Sequence, residues 1–351
     1  MNFTSDNVAP AHPKILEAIL TTNQGYEPAY GVDGYSHNLQ KRLSDVFEKE
    51  ASVFLTNTGT ASNCLALSSM VRPYEAIYCY KEAHIATDEG NAPEFFTSGA
   101  KLVLCDGENG KIAPLSLESK ISEAIGKKAL APKPGCISIT QSTESGTVYT
   151  IDELSAISQI AQRFNLPVHM DGARFANSLV SLNCSPAELT WKQGIDILSF
   201  GATKNGTVCA EAVIIFNPKM AENFEYLHKR SGQTLSKARF FSCQILEYLE
   251  DDLWLKNASH ANAMAQKLAH ILTKNQIEIL YPVDANEIFF TISSEVETQL
   301  RNQGCKFYKW HPTENVYRFV TSFYTTDQDI YNFDLCLQSV LRILKTDVNA
   351  A

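Results

Sequence analysis

Two short apolar runs, residues 166–170 and 195–200, are each followed by one isolated charge among small residues. The first charge is Asp171, in HMDGAR, and the second is Lys204, in SFGATKNG. Runs of this length, bounded by Gly and polar turn residues, read as buried strands. On a parallel sheet, reactive groups stand at the carboxyl ends of strands, so both charges are expected on one rim of one sheet. An amine in that position condenses with an aldehyde, and a carboxylate keeps a pyridine nitrogen protonated so that the ring accepts electrons. The pair therefore suits pyridoxal phosphate. A strand-end salt bridge, or two solvated charges, explains the same two residues, and taken alone they favour that plainer reading.

The elements that must position them are legible in outline. Residues 1–14 form a polar arm with two prolines. Residues 14–20 and 39–47 have helical spacing, and the Gly- and aromatic-rich stretch 24–36 between them reads as a loop. A strand at 52–55 runs into TNTGTASN and then into an Ala/Leu-rich helix over 61–70. A strand, a small polar turn and a helix start suit a phosphate, because the first helical N–H groups are free and the dipole is positive there. Thr58, Gly59 and Thr60 are the candidates, although such turns are common without any ligand. Strands are expected at 76–80, 102–104 and 136–140, and a helix at 116–125. Thr150 and Glu153 form a capping box that opens a helix over 151–163. With the strands on either side this helix makes a βαβ unit, whose right-handed crossover sets those strands parallel.

Beyond Lys204 a strand is expected at 212–216 and helix over 222–250. The character changes near 252. A helix over 258–273, strands at 278–281, 287–292 and 317–321 and a last helix at 329–344 make an α+β tail. The expected organisation is an arm (1–14), a large α/β domain (15–251) with a mainly parallel central sheet flanked by helices, and a small C-terminal α+β domain (252–351).

The chain has 351 residues and a net charge of −9. With no long basic run, nucleic acid and anionic membrane are poor partners. The nine cysteines include no CxxC pair, and several lie inside apolar runs. They read as small buried hydrophobes in a reducing compartment, with no disulfide frame and no metal site. No signal peptide and no run of bilayer length is visible, so a cytoplasmic protein is expected.

The motifs TSDN, AYGVDG, NTGTASN, AHIATDEGNAPEFF, HMDGARFAN, FGATKNG, RSGQTLSKARF and YRFV follow one another over nearly the whole chain. In that order and spacing the sequence resembles the low-specificity L-threonine aldolases, among the pyridoxal-phosphate-dependent β-eliminating lyases of the aspartate-aminotransferase fold (fold type I). The resemblance implies an aldehyde-lyase that cleaves β-hydroxy-α-amino acids to glycine and an aldehyde. It implies that Lys204 bonds the cofactor's aldehyde, with Thr203 beside it, and that Asp171 pairs with the ring nitrogen. Arg174 would lie at the ring's phenolic oxygen and the substrate carboxylate, and His84 would stack on the ring. Thr58, Gly59 and Thr60 would hold the phosphate, and Ser5 and Arg318 the substrate carboxylate. Tyr30 and Lys237 (or Arg239) would reach a neighbouring subunit's site, in a homotetramer built as a dimer of dimers.

One departure bears on the chemistry. Some members of the family carry a histidine in an ENTH-like strand end near the substrate's β-hydroxyl. Here the stretch is QSTESG, with Thr143 and Glu144. The β-hydroxyl base is then His84, Asp88 through an ordered group, or water. A related lyase acting on another amino acid, such as phenylserine, and a non-catalytic regulator on the same fold are the rival readings.

Overall fold

A computed structural model describes residues 1–350, with side chains described as far as Leu344. Its frame is a seven-stranded sheet. In chain order the strands are β1 (Ser52–Thr56), β2 (Glu75–Tyr80), β3 (Lys101–Cys105), β4 (Lys133–Thr140), β5 (Val168–Gly172), β6 (Ile197–Phe200) and β7 (Glu211–Ile215). Their order across the sheet is β1-β7-β6-β5-β4-β2-β3. Neighbours from β6 to β3 pair in parallel, whereas β7 runs antiparallel to both β6 and β1. Helices cover the sheet, as parallel strands require, because each crossover must bury an apolar face. Strands β2, β5, β6 and β7 are buried along their whole length.

The helix α1 (Gly59–Met70) packs on the sheet, and Ser62 to Leu67 within it are all buried. Thr58 caps it, its hydroxyl accepting from the Ala61 N–H at 3.1 Å. The capping box of Thr150 and Glu153 is present at the start of α2 (Ile151–Phe164). This helix ends on Asn165 in the left-handed region, φ 53°.

A second apolar core lies in the C-terminal part. It joins α3 (Leu253–Lys274), α4 (Asp327–Ala350) and a three-stranded antiparallel sheet. That sheet has β8 (Glu287–Thr291) and β9 (Tyr308–Lys309) on either side of β10 (Val316–Val320). Helix α3 spans both cores. Leu253, Trp254 and Ala258 belong to the first, and Met264 to Leu272 contribute to the second. The arm is part of this packing. Phe3 is fully buried in the second core against Phe319 and Phe333.

Three expectations need correction. Residues 222–250 are not one helical stretch. Helices Phe224–Arg230 and Arg239–Leu249 are separated by a loop that turns on Gly232 at φ 79°, a conformation glycine adopts without strain. Residues 278–281 form no strand, only an isolated bridge from Ile279 to Phe290, and Pro282 ends the pairing. The loop over 24–36 is shorter than expected, because Asp33 caps a helix beginning at Gly34 and accepts from the Ser36 N–H at 2.8 Å.

The ends of β5 and β6 approach closely just beyond the sheet. The Gly201 N–H donates to the Gly172 carbonyl at 3.1 Å. A Cβ at Gly201 would lie 2.6 Å from Ala173 backbone atoms. Gly201→Ala is therefore expected to cost about 1–3 kcal/mol in urea unfolding and to displace the Lys204 turn, with slower labelling of that lysine. A variant with wild-type stability and labelling would refute this.

Candidate active site

The rim of the sheet carries one cavity of about 290 Å³ that collects most of the singled-out residues. Lys204, Asp171, His84, Arg174, Thr58, Gly59, Thr60 and Thr203 all line it. Asp171 is the fourth residue of β5, and Lys204 sits in the 3-10 turn Thr203–Asn205 that follows β6. Since β5 and β6 are parallel neighbours, with Asp171 opposite Ser199, the two charges leave the same edge of the sheet.

Asp171 is buried, 4% exposed, and both carboxylate oxygens are engaged. Oδ2 accepts from Asn63 Nδ2 at 2.7 Å, and Oδ1 accepts from the Ala173 N–H at 3.0 Å. Asn63 also donates to Glu89 Oε1 at 2.9 Å, and Glu89 Oε1 lies 2.7 Å from His84 Nδ1. A chain of polar contacts thus runs Asp171, Asn63, Glu89, His84. The hydrogen bond to Glu89 raises the His84 pKa against the cost of burial, and the Asp171 charge adds to the rise. Beneath the site His169 is held between the Ser138 and Ser199 hydroxyls, each at 2.9 Å. Burial pushes its pKa down to about 4, so it is a neutral core histidine.

The lysine turn is fixed by a second buried acid. Glu211, at the start of β7, accepts from the Ala202 N–H at 2.7 Å and from the Thr203 N–H at 3.4 Å. Burial raises its pKa, and the hydrogen bonds from Thr203 and Ala202 oppose the rise. At the opposite wall Asn57, Thr58, Gly59 and Thr60 present the N-terminus of α1 to the cavity, and a Cβ at Gly59 would meet nothing within 4 Å.

Arg174 is committed to ion pairs. Nε and Nη2 donate to Asp6 at 2.8 and 3.0 Å, and Nη1 lies 3.0 Å from Glu287 Oε2. Burial opposes the guanidinium charge, but Asp6 and Glu287 override it and raise the pKa. Asp6 shows the reciprocal effect, since burial would raise it and Arg174 holds it below the usual carboxylate range. Arg318 Nη1 donates to Glu287 Oε1 at 3.3 Å, and the guanidinium stacks against Trp310 at 4.9 Å. Its Nε is buried without a hydrogen-bond partner.

Several candidates lie outside the cavity. Asp88 is exposed and accepts from the Thr87 hydroxyl at 2.6 Å, so its carboxylate does not reach the site. The acid facing inward is its neighbour Glu89, 7% exposed. Ser5 caps the turn Asp6–Val8, accepting from the Asn7 N–H at 3.1 Å, and Asn7 rather than Ser5 lines the cavity. Tyr30, 58% exposed with φ 62°, lies under the Lys229 ammonium, and Lys237 is exposed. Arg239 donates to the Gln24 and Gly25 carbonyls. Sequence reasoning passed over Asn63, Glu89, Glu211 and Glu287. Glu211 and Glu287 carry the signal that marked Asp171, an isolated acid at the edge of an apolar run.

The residues present fit pyridoxal phosphate. An amine, a buried carboxylate with both oxygens oriented, an imidazole and a helix N-terminus with uncharged small side chains face one cavity.

Comparison with known proteins agrees. The beta-eliminating lyase family model matches residues 2–295. A low specificity L-threonine aldolase of Pseudomonas sp. (strain NCIMB 10558) is 41% identical over 97% of both chains. Another, from Pseudomonas aeruginosa, is 42% identical over 87% of this chain and 88% of its own. Among solved structures, the Leishmania major threonine aldolase superposes with a TM-score of 0.91 at 28% identity, over 97% of this chain and 99% of that one. An aspartate aminotransferase from Thermotoga maritima, 14% identical with a TM-score of 0.69 over 97% of this chain and 92% of its own, shares the fold. The chain belongs to the beta-eliminating lyase family, and its close relatives there are low specificity L-threonine aldolases.

Proposed function

We propose that the protein is a lyase that cleaves L-threonine, L-allo-threonine and related β-hydroxy-α-amino acids between Cα and Cβ, releasing glycine and an aldehyde. The observation that carries this reading is the placement of Asp171 and Lys204 on adjacent parallel strand ends, facing one cavity. Pyridoxal phosphate bound there supplies an electron sink for the carbon left when Cα–Cβ breaks. Asp171 would hold the proton on its ring nitrogen, and Lys204 would bond its aldehyde carbon. The N–H groups of Gly59 and Thr60 would hold the phosphate, and His84 would lie against the ring. Lys204 would also exchange the proton at the α-carbon. The substrate carboxylate would fall to Arg318, which is outside the cavity lining but has an unpartnered Nε and is joined through Glu287 to Arg174, which lines it.

Purified protein with L-threonine is expected to form glycine and acetaldehyde in equal amounts. It should also show a cofactor absorbance band that borohydride removes, leaving the label on Lys204. Lys204→Ala should abolish cleavage, and Asp171→Ala should lower kcat on the order of 100-fold or more. Formation of a keto acid and ammonia, or full activity in Lys204→Ala, would sink the assignment.

The reading extends to the assembly. Tyr30 and Lys237 are exposed and outside their own chain's cavity, which supports a site completed by a neighbour in a homotetramer of two tight dimers. The nine free cysteines, seven of them buried, support a reducing, cytoplasmic setting. No helix among the described residues is long and apolar enough to cross a membrane. The two apolar cores support a domain division near residue 252, with the arm seated on the C-terminal unit. Mixing Lys204→Ala subunits with Lys237→Ala subunits is expected to restore activity that neither variant has alone. A fully active monomer would rule out the shared site.

A further inference from the structure

The site contains one acid whose use nothing above explains. Glu144 follows β4 in the QSTESG stretch and lines the cavity with His84, Asp171 and Arg174. Its Oε1 accepts the His84 backbone N–H at 2.8 Å. Its Oε2 is shielded from solvent and has no hydrogen-bond partner. Asp171, by contrast, is paired at both oxygens, and Glu89, whose Oε2 is also unpartnered, already holds Asn63 and His84 through Oε1. Here one oxygen is anchored to the segment that carries His84, and the other is unpartnered in the wall of the cavity.

Resting on the proposed cleavage reaction, we propose that Glu144 Oε2 is the base that takes the proton from the substrate's β-hydroxyl. The O–H electron pair becomes the second bond of the aldehyde carbonyl as Cα–Cβ breaks. The Cα–Cβ pair stays with the glycine fragment until its α-carbon takes a proton. Glu144 then releases its own proton to solvent, so the reaction consumes and yields none. His84 is less suited to this step, because Glu89 and Asp171 raise its pKa and so favour the imidazolium, which has no lone pair to accept a proton. Asp88 does not face the cavity.

Burial pushes the Glu144 carboxyl up to about 7, against the lowering effects of the His84 N–H and the nearby Thr140 hydroxyl. A group with that value is a carboxylate above neutrality and still basic enough to accept a proton. The ionisable groups facing it are His84, Asp171, Arg174, Tyr149, Tyr80 and Cys79. Burial pushes the phenols and the thiol far above neutrality, which leaves His84 as the neighbour to separate from Glu144 by mutation.

The test is Glu144→Gln in the holoenzyme, since glutamine still accepts the His84 N–H. Three readouts are compared with wild type: threonine cleavage against pH, exchange of the glycine α-proton with solvent deuterium, and the carboxyl infrared band across neutral pH. Wild-type kcat/KM is expected to rise with pH through about 7. Glu144→Gln should lower kcat by about 10²–10⁴-fold and remove that limb. Glycine exchange, which needs no β-hydroxyl base, should change less than about twofold. A wild-type infrared band titrating near 7 should be missing from the variant, and His84→Asn should keep the limb. Cleavage within a few fold of wild type, or parallel loss of cleavage and glycine exchange, would overturn the assignment. Wild-type protein that neither cleaves threonine nor exchanges glycine would overturn the functional reading itself, and this assignment with it.

Discussion

Two buried acids, Asp6 and Glu287, alternate with two largely shielded arginines, Arg174 and Arg318, and tie three separate parts of the chain to one another. Asp6 comes from the arm, Arg174 from the end of β5, and Glu287 and Arg318 from paired strands of the C-terminal sheet. The Glu287 side chain is fully shielded and Asp6 is 4% exposed, so neither acid has water to fall back on. Removing one partner from such a set typically costs about 3–5 kcal/mol, because the remaining charge is stranded in a poorly polarisable interior. Arm, sheet and C-terminal unit are therefore held in register by a set of charges of which one, Arg174, also lines the cavity. Asn286 adds to the junction, donating to Asp6 at 3.1 Å and to the Thr321 carbonyl at 2.7 Å.

The same rule governs the cofactor end. Asp171 and Glu89 are two carboxylates brought close by the fold, and Asn63 keeps them compatible by donating to both. His84 completes the arrangement, since its raised pKa favours the cation that offsets Glu89. Asn63 can do this only from inside α1, on a face that is otherwise apolar. One helix thus presents its N-terminus to the cavity at its start and, one turn later, an amide that orients Asp171.

How much of this the sequence reveals depends on the kind of signal. Asp171 and Lys204 are visible because an isolated charge after an apolar run has little reason to be there except chemistry or pairing. The strands carrying them, the capping box at Thr150 and the βαβ unit follow from periodicity and turn residues, and the motif order added the family. Glu89 and Asp88 show the limit. They are adjacent, both acidic and both just beyond the short helix His84–Thr87, and only the turn that follows it leaves Asp88 exposed and Glu89 buried. Asn63 was hidden for the opposite reason, since a single amide in an Ala/Leu-rich helix resembles an ordinary partly exposed position. Ser5 was placed in the site on the strength of TSDN. In the fold its hydroxyl is spent on the Asn7 N–H, and the neighbouring Asp6 does the ionic work. The seating of Phe3 in the C-terminal core leaves no local trace at all, because it depends on contacts more than 300 residues away along the chain.

The charge balance of the cavity bears on how an anionic group is held there. Four carboxylates line it, Glu89, Glu144, Asp171 and Glu211, against the cations Lys204 and Arg174 and the imidazole of His84. Arg174 is already neutralised by Asp6 and Glu287, and Lys204 is reserved for the aldehyde in the proposed reaction. At the start of α1 the lining residues Asn57, Thr58, Gly59 and Thr60 are uncharged. Helix N–H groups and dipole contribute about 0.3–1 kcal/mol at an exposed site and at most about 2 kcal/mol in partly buried geometry. A doubly charged phosphate among four acids asks for more than that, and among the described residues this chain places no further lysine or arginine in the cavity lining. The lining residues of this chain therefore leave much of that charge unmet, and Lys237, exposed on a loop between two helices, lies outside the lining.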